Sequence, residues 1–595
     1  MAASRASERT AREFYETKQR AVQYYRDNQV PEKIEDILNS MFYENPDDVY
    51  GRLSEYFETL AKPSTVSKIV SRQVLDSKGQ PTVQTEVHCI VKGVEKHITT
   101  TSTASQNCIA DSAPIERREA DDAERLQSVL AAVEFINGPI NESVKGLNPV
   151  NQKEIDTIVN EVIQKLKEEH EEKERLLKEQ QAEQEVSQQP QNEKGKEERS
   201  SPKPRKKGSA KSATVVIEEP REQLFSGSNS ISAVSQSIAR SAAILSKINL
   251  FEHIANLRYE ETPEKYKVPL PMASILSFGK AAACKLNMFK EVLIVPKPDK
   301  PIDEAIKQIC DIYNQVGKAL FTKFGVASKS VNDLGCYTPV YDKPEQALDV
   351  IQESMTQLGL TPAEDFNIVL NCAAHEMFDM SKLSGSKDKG KYEVTTGVFK
   401  GADDMADVYS DLVTRYPAII GIIDPIRKQD TEAWVKLCEK LSEKCYLMGD
   451  NIYPRTERFV KEGFGDMKAS AVVLKLQQMT TISDTIDAMK FLKEEGIESV
   501  ISCVQAESGD DLLADLAVGV GTKFIKIGAP CRGERVAIFN RLLQIESVLK
   551  ERELGSYYEG HEFPDIIPPP PPEPDADAEG QTETDSVSVD SKKKK

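Results

Sequence analysis

The sequence of 595 residues contains no run of about 18 consecutive apolar residues, which is the length that a transmembrane helix needs. Its first residues, MAASRASERTAREF, lack the apolar core of a secretory signal peptide. It has only six histidines and no H-E-x-x-H motif, which leaves little scope for a zinc site. The ten cysteines include no C-x-x-C pair, so we expect the reduced thiols of a cytosolic protein.

Negative charge is what the composition has in excess. The chain carries 96 Asp and Glu against 77 Lys and Arg, a net charge of −19. An acidic surface argues against binding nucleic acid over most of its area. We therefore expect neither a nucleic-acid partner nor a membrane partner. The length allows about two to four domains with a large core.

Residues 1–62 carry a helical pattern of their own. Pro31 stands at a helix start, and the apolar residues after it recur at i, i+3 and i+4 spacing: Ile34, Ile37, Leu38, Met41 and Phe42. A break at residues 45–48 precedes a second apolar stripe: Val49, Leu53, Tyr56, Phe57 and Leu60. Two short amphipathic helices cannot bury both apolar faces alone, so we predict that they pair with a second copy.

This N-terminal pattern resembles the dimerisation/docking fold of the regulatory subunit of cyclic-AMP-dependent kinase and of Dpy-30-like proteins. The resemblance implies that residues 30–60 form a dimer whose groove receives an amphipathic helix of the kinase-anchoring type. The other interpretation is an ordinary helical hairpin packed on the main domain. The resemblance to the docking fold also implies a location in the sperm flagellum or cilium. Apart from that, we expect a cytoplasmic protein.

Residues 66–100 predict β-strands, with a hairpin around the turn at residues 77–81. Helical patterns follow through Ile163. From residue 165 a charged helix to Glu185 leads into a segment dominated by Glu, Lys, Gln, Ser and Pro. That composition is too polar to bury a core, so we predict a disordered charged insert at 165–224. The proline-rich tail, 561–595, is predicted to be disordered as well.

Short apolar runs alternate with helical stretches from Pro269 onward. Seven runs have the length of strands: 292–295, 368–370, 418–423, 445–448, 471–475, 499–502 and 524–527. This rhythm predicts a parallel sheet with helical crossovers, and its repetition favours a closed barrel.

Lys475 and Lys526 each lie at the end of one of these apolar runs. Strands of a parallel barrel deliver such side chains to the catalytic face. A nearby second ammonium disfavours the charged form of a lysine, so we expect one of the pair to act as a base near neutral pH.

Four segments carry a resemblance to the enolase family: VLDSKGQPTVQTEV, VVLKLQQMTTISDTI, LADLAVGVGT and IKIGAPCRGER. The resemblance implies an α/β fold, namely an enolase-type α+β capping domain and a (β/α)8 TIM-like barrel, here preceded by the small helical module. The expected boundaries are a helical module at 1–62, a capping domain at 63–164 and 225–266 around the insert, and a barrel at 267–560.

In enolases a lysine removes a proton from the carbon beside the substrate carboxylate, two Mg²⁺ ions hold the enediolate, and a glutamate protonates the leaving hydroxyl. By resemblance, Lys475 matches the base and Lys526 the substrate-binding lysine. Glu291 matches the glutamate that supports the leaving hydroxyl. Asp450 and Ser105 match metal ligands. The implied substrate is 2-phosphoglycerate, which would become phosphoenolpyruvate.

Other positions depart from the family pattern. Leu334 replaces the catalytic acid, and Asn371 and Ile423 replace two of the three carboxylates of the first Mg²⁺. Cys503 and Val504 stand in the phosphate motif, and no histidine occurs at residues 280–283, where the family has one. Loss of a general acid costs about 10²–10⁴ in rate, so we expect weak or lost activity and weak or absent Mg²⁺ binding.

Three nearby residues are candidates to replace the lost groups: His375, Glu376 and Asp424. For His375 we expect a loop or helix-start role instead. Two functions stay open. The chain is either a divergent phosphopyruvate hydratase or a non-catalytic scaffold of the flagellum or cilium. In either case it could form a homodimer, or a heterodimer with another enolase through the capping domain.

Overall fold

The computed structural model describes residues 2–104, 115–187, 225–279, 286–379, 391–453, 469–564 and 566. Three helices open the chain: α1 (Ala2–Asp27), α2 (Val30–Glu44) and α3 (Val49–Leu60). The sequence predicted α2 and α3 but not α1. Pro31 lies in the first turn of α2, and the carboxylate of Asp48 accepts a 2.8 Å hydrogen bond from the N–H of Gly51 at the start of α3.

The helical module is only lightly attached to the rest of the chain. Glu58 of α3 pairs with Lys92 at 3.3 Å and with Lys247. Ion pairs as exposed as these contribute at most about 1 kcal/mol each. Ile37 and Met41 are buried, whereas Phe42 remains 79% exposed. These contacts therefore leave much of the apolar surface of the module uncovered.

An antiparallel sheet of three strands follows: β1 (Thr65–Leu75), β2 (Pro81–Val91) and β3 (Val94–Ser102). The pairing of Leu75 with Pro81 confirms the predicted hairpin. Helices pack on one face of the sheet: Ile115–Phe135, Asn141–Val144, Gln152–Ser187 and Asn229–Leu245, with a π-helical turn at Ile136–Ile140. The next helix, Leu250–Arg258, packs instead against the barrel side of the molecule. Val83, Val87 and Ile238 belong to the apolar core between the sheet and these helices. The helix ending at Ser187 includes the first part of the predicted insert.

Eight strands close into a barrel. In chain order they are Leu270–Ser277, Glu291–Pro296, Phe366–Asn371, Ile419–Ile423, Tyr446–Gly449, Ala471–Leu474, Glu498–Ser502 and Phe524–Gly528, and they are called barrel strands one to eight below. The seven predicted runs became strands two to eight. This capping sheet and closed barrel confirm the predicted fold class.

The prediction of an all-parallel sheet was wrong for one strand. Strand two runs antiparallel to both of its neighbours, while the other neighbouring pairs are parallel. The residues that flank the facing ends of these strands also pair, since the N–H of Phe278 donates to the carbonyl of Lys290 at 2.8 Å. Antiparallel neighbours can be joined by a short connection, whereas a parallel return needs a longer crossover. Strand two therefore begins, rather than ends, at the catalytic mouth.

The remaining elements surround the barrel. Its helices are Ile302–Phe324, Pro344–Gln357, Ala374–Met377, Ala402–Arg415, Thr431–Leu441, Leu476–Met479, Ile482–Glu494, Leu512–Val520 and Gly533–Glu551, with a 3₁₀ turn at Gly325–Lys329. Short strands occur at Tyr266–Lys267, Phe378–Asp379, Lys391–Thr395, Val398–Lys400 and Gly555–Ser556. Apolar side chains such as Met272, Val369 and Val473 fill the barrel interior, so the mouth is the open part.

The segment after the last helix packs on the barrel. The rings of His561 and Phe563 lie 5.8 and 4.7 Å from the ring of Tyr446, and Ile566 is fully buried. The tail predicted to be disordered from residue 561 therefore begins within a packed segment. Among the helices that the structure describes, none combines the length and apolarity needed to cross a membrane.

Candidate active site at the barrel mouth

Glu291 and Lys526 form a buried ion pair at the mouth. Glu291 opens strand two and Lys526 lies in strand eight. The ammonium of Lys526 is 3.0 and 3.1 Å from the two carboxylate oxygens of Glu291. The amide of Asn371 donates to Glu291 Oε1 at 2.7 Å, and the hydroxyl of Ser274 donates to Oε2 at 2.7 Å. Three side chains from three other strands thus hold the carboxylate of Glu291.

The Glu291 carboxylate is held in its ionised form. Its side chain is 2% exposed. Burial alone would raise the pKa, but the charge of Lys526 and the hydrogen bonds from Ser274 and Lys526 lower the pKa of Glu291 to about 2. The carboxylate of Glu291 is therefore ionised, and its charge is balanced by the ammonium of Lys526.

Lys475 and Asp450 form the second ion pair of the mouth. Lys475 directly follows strand six, and Asp450 follows strand five. The ammonium contacts both oxygens of the carboxylate, at 2.6 and 2.8 Å. The ordering of the strands around the barrel places these two residues side by side, because strands five and six are neighbours.

Asp424 fixes the backbone that carries Asp450. Its carboxylate accepts hydrogen bonds of 2.8 Å from the N–H groups of both Asp450 and Asn451. Burial and the nearby charge of Asp450 raise the pKa of Asp424. Its φ of 46° lies in the left-handed region, a strained conformation for a residue with a Cβ. Asp424 thus holds Asp450 in position, and both carboxylate oxygens of Asp424 are occupied by these N–H groups.

Lys290 and Glu376 form a third ion pair at the same rim, with 2.6 Å between Nζ and Oε1. His375 Nε2 lies 3.8 Å from the same oxygen. His375, Asp424, Arg427 and other residues line a small, partly open pocket. Of the substitutes that the sequence suggested, Glu376 and Asp424 are already engaged in contacts with other groups.

The geometry corrects the expected arrangement of the two lysines. Lys475 and Lys526 do come to one mouth, as predicted. However, each ammonium contacts a carboxylate rather than standing against the other ammonium. Asp450 follows strand five, the neighbour of strand six, and Glu291 opens strand two, which only strand one separates from strand eight. For Lys475 to accept a proton from a substrate, its contact with Asp450 has to open first.

Three positions where the family has acidic residues carry apolar or amide side chains here, and the structure shows what these side chains contact. Ile423 is fully buried among the side chains that fill the barrel. Asn371 is 6% exposed and donates to Glu291. The carbonyl of Leu334 accepts a 2.8 Å hydrogen bond from the N–H of Ala529, while its side chain packs against the core. None of these three side chains can give a proton or bind a metal as a carboxylate would.

Cys503 and Val504 follow strand seven. Burial raises the pKa of the Cys503 thiol to about 12, which leaves it protonated and unreactive. Val504 is 4% exposed, and its N–H donates to the carboxylate of Glu507 at 2.7 Å. An aliphatic side chain in this place offers no bidentate clamp for a phosphate group.

Two predicted features lie outside the described residues. One is Ser105, the expected ligand of the second metal. The other is the segment at residues 280–283, where the family's histidine is missing.

The described residues do not fit the two magnesium ions that the resemblance implies. Nowhere in the part of the chain that the structure describes do three or more His, Cys, Asp or Glu side chains converge to hold a metal. Mg²⁺ prefers carboxylate oxygens, and those of Glu291 and Asp450 each face an ammonium. A Mg²⁺ ion that approached either carboxylate would be repelled by the neighbouring ammonium group. At 4 Å and an effective dielectric constant of about 20, two unit charges of the same sign repel by about 4 kcal/mol, and a divalent ion is repelled by about twice as much.

Sequence reasoning missed Lys290 and Ser274. Lys290 directly precedes strand two, and because this strand runs antiparallel to its neighbours its first residues lie at the mouth. Ser274 lies inside strand one, which the pattern did not delimit. A signal that could have pointed to Lys290 is the pair of charged residues, Lys290 and Glu291, that stands directly before the apolar run 292–295.

Comparisons with known proteins agree with this architecture. Residues 66–170 match the family described as Enolase, N-terminal domain, and residues 265–565 match Enolase, C-terminal TIM barrel domain. The chain is 36% identical over 573 residues to Enolase 4 of Xenopus laevis, covering 93% of this chain and 96% of the relative. Identity to Enolase 4 of Mus musculus is 36% over 592 residues, and to that of Homo sapiens 33% over 584. These alignments cover 93% of this chain and 92% and 91% of the relatives. The chain therefore belongs to the enolase family.

Proposed function

We propose that this enolase-family protein binds 2-phosphoglycerate at the barrel mouth and converts it to phosphoenolpyruvate weakly or not at all. The observation that carries the proposal is the pairing of Asp450 with Lys475 and of Glu291 with Lys526. The lysines that could receive a phosphorylated acid are present, while the carboxylates are already neutralised. Enolases use Mg²⁺, and we propose that its binding here is weak or absent.

Each retained residue has a role that its position supports. Lys475 would take the proton beside the substrate carboxylate once a ligand draws Asp450 away. Lys526 and Glu291 would contact the substrate. Leu334 occupies the place of the acid that protonates the leaving hydroxyl, so departure of hydroxide has no proton donor there. That absence limits the rate even where binding and proton removal succeed.

A coupled assay of the purified full chain with 2-phosphoglycerate and excess Mg²⁺ tests this function. We expect turnover that is absent or at least about 10²-fold below that of an efficient enolase, because the general acid is missing. Any turnover should disappear in Lys475→Ala. A rate like that of other enolases would contradict the proposal. So would failure of 2-phosphoglycerate to raise the melting temperature under any condition.

A second candidate function is a non-catalytic scaffold of the sperm flagellum or cilium. The exposed apolar surface of the helical module supports it, since Phe42, Tyr43 and Tyr50 are 79, 86 and 83% exposed. Large exposed apolar patches of this kind mark interaction surfaces. We propose that α2 and α3 pair with those of a second copy and that the pair receives an amphipathic helix of the kinase-anchoring type. The capping domain is the proposed route to a dimer with another enolase.

Sedimentation velocity of the full chain separates these two dimer routes. We expect a dimer that dissociates at least about tenfold more readily in Phe42→Glu, because a charge cannot be buried in an apolar interface without a large cost. The matched control is Leu75→Glu, at an exposed position of β1 in the capping domain. Dissociation by Leu75→Glu alone would show that the capping domain, and not the helical module, holds the dimer.

A further inference from the structure

We propose that the ammonium of Lys290 supplies, from within the chain, the positive charge that a divalent ion would bring, so that the mouth takes an anionic ligand without metal. Nothing in the family match assigns a role to this residue. The inference rests on the proposed function for its ligand class, a phosphorylated carboxylic acid. It is a statement about binding and not about turnover.

The backbone holds Lys290 at the mouth. Its N–H donates to the carbonyl of Asn371 at 2.7 Å, and its carbonyl accepts from Phe278 at 2.8 Å. Asn371 ends strand three, and Glu291, the next residue after Lys290, opens strand two. Lys290 is thus fixed beside one of the two positions where a family metal carboxylate has become an uncharged side chain.

Three carboxylates act on the Lys290 ammonium. Glu376 contacts it at 2.6 Å, and the charges of Glu291 and Asp450 reach it as well. Burial alone would lower its pKa, but these carboxylates outweigh burial and raise the pKa of Lys290 above its usual value. A permanent cation among carboxylates, next to an active-site carboxylate, has the charge environment that a bound metal ion has.

Exposure distinguishes this pair from the ordinary surface ion pairs of the chain. The side chains of Lys290 and Glu376 are each 30% exposed, so the pair is partly shielded from water while part of its surface stays accessible. Surface pairs such as Lys436 with Asp403 are more exposed, at 50 and 61%. Because an ammonium has three N–H donors, Lys290 can donate to Glu376 and to an incoming anion at the same time.

The test measures binding of Mg²⁺ alone and of 2-phosphoglycerate by thermal shift and calorimetry, with and without EDTA. For the wild-type chain we expect no shift with millimolar Mg²⁺ and the same affinity for 2-phosphoglycerate in EDTA as in Mg²⁺. Lys290→Gln should weaken binding in EDTA by about tenfold or more, which is the effect of one charge-assisted hydrogen bond. The matched control is Lys297→Gln, at an exposed position just beyond the other end of strand two.

The outcomes separate the inference from the function it rests on. Binding of 2-phosphoglycerate only in the presence of Mg²⁺ would overturn the inference and leave the proposed function standing. A shift with Mg²⁺ alone would overturn the inference as well. Equal effects of Lys290→Gln and Lys297→Gln would show that Lys290 has no special role. Absence of any binding would overturn both proposals.

Discussion

Enolase turnover is expected to rise by about 10²–10⁴-fold when the three lost acidic side chains are returned together, as Leu334→Glu, Asn371→Asp and Ile423→Glu. The first change supplies a proton donor for the leaving hydroxyl. The other two add carboxylates beside Glu291 and Asp450, which gives a divalent ion negative partners that are not already paired with a lysine. The measurement is the coupled assay with 2-phosphoglycerate, with and without Mg²⁺.

The control for this variant carries Leu334→Gln, Asn371 unchanged and Ile423→Gln. It has side chains of the same size as the glutamates but without their charge. Because Ile423 is fully buried, both variants are compared at equal folded fraction by circular dichroism. A folded acidic variant that is no faster than its glutamine control would refute the idea that these three positions limit activity.

Lys526→Met is expected to lower the free energy of unfolding by about 3–5 kcal/mol at pH 7, since it leaves the buried carboxylate of Glu291 without its cation. In the wild type, the pKa of Glu291 is lowered to about 2, so the stability that its ionised form contributes is present above its ordinary pKa of about 4.3 and is lost as pH falls through about 2. The loss caused by Lys526→Met should therefore shrink as the pH falls toward about 2, where the carboxylate of the wild type becomes protonated as well.

Urea denaturation across this pH range measures the effect. The double variant Lys526→Met with Glu291→Leu removes both charges and should recover most of the lost stability, because replacing a whole buried pair by apolar groups is often neutral. Lys297→Met, at an exposed position, should change stability by less than about 0.5 kcal/mol. A Lys526→Met protein as stable as the wild type at pH 7 would mean that the pair contributes little.

Local sequence was sufficient to predict an element where a pattern is repeated or where one residue determines the backbone conformation. The turn at residues 77–81 and the proline and aspartate at the starts of α2 and α3 predicted these elements, because a turn or a cap depends on a few neighbouring residues. Strands two to eight were predictable because each is a short apolar run between helical patterns. The missing chemistry at Leu334, Asn371 and Ile423 also follows from residue type alone.

The partners within the mouth were decided only by the tertiary structure. Lys475 and Asp450 are 25 residues apart in the chain, and Lys526 and Glu291 are 235 apart, so no local pattern joins them. The reversed direction of strand two brings Glu291 and Lys290 to the rim, and that direction is a property of strand pairing across the barrel. The sequence by itself determined which side chains are present at the mouth. The closure of the barrel decided which charged groups pair, because an ion pair requires a distance of a few ångströms between strands that are far apart in the chain.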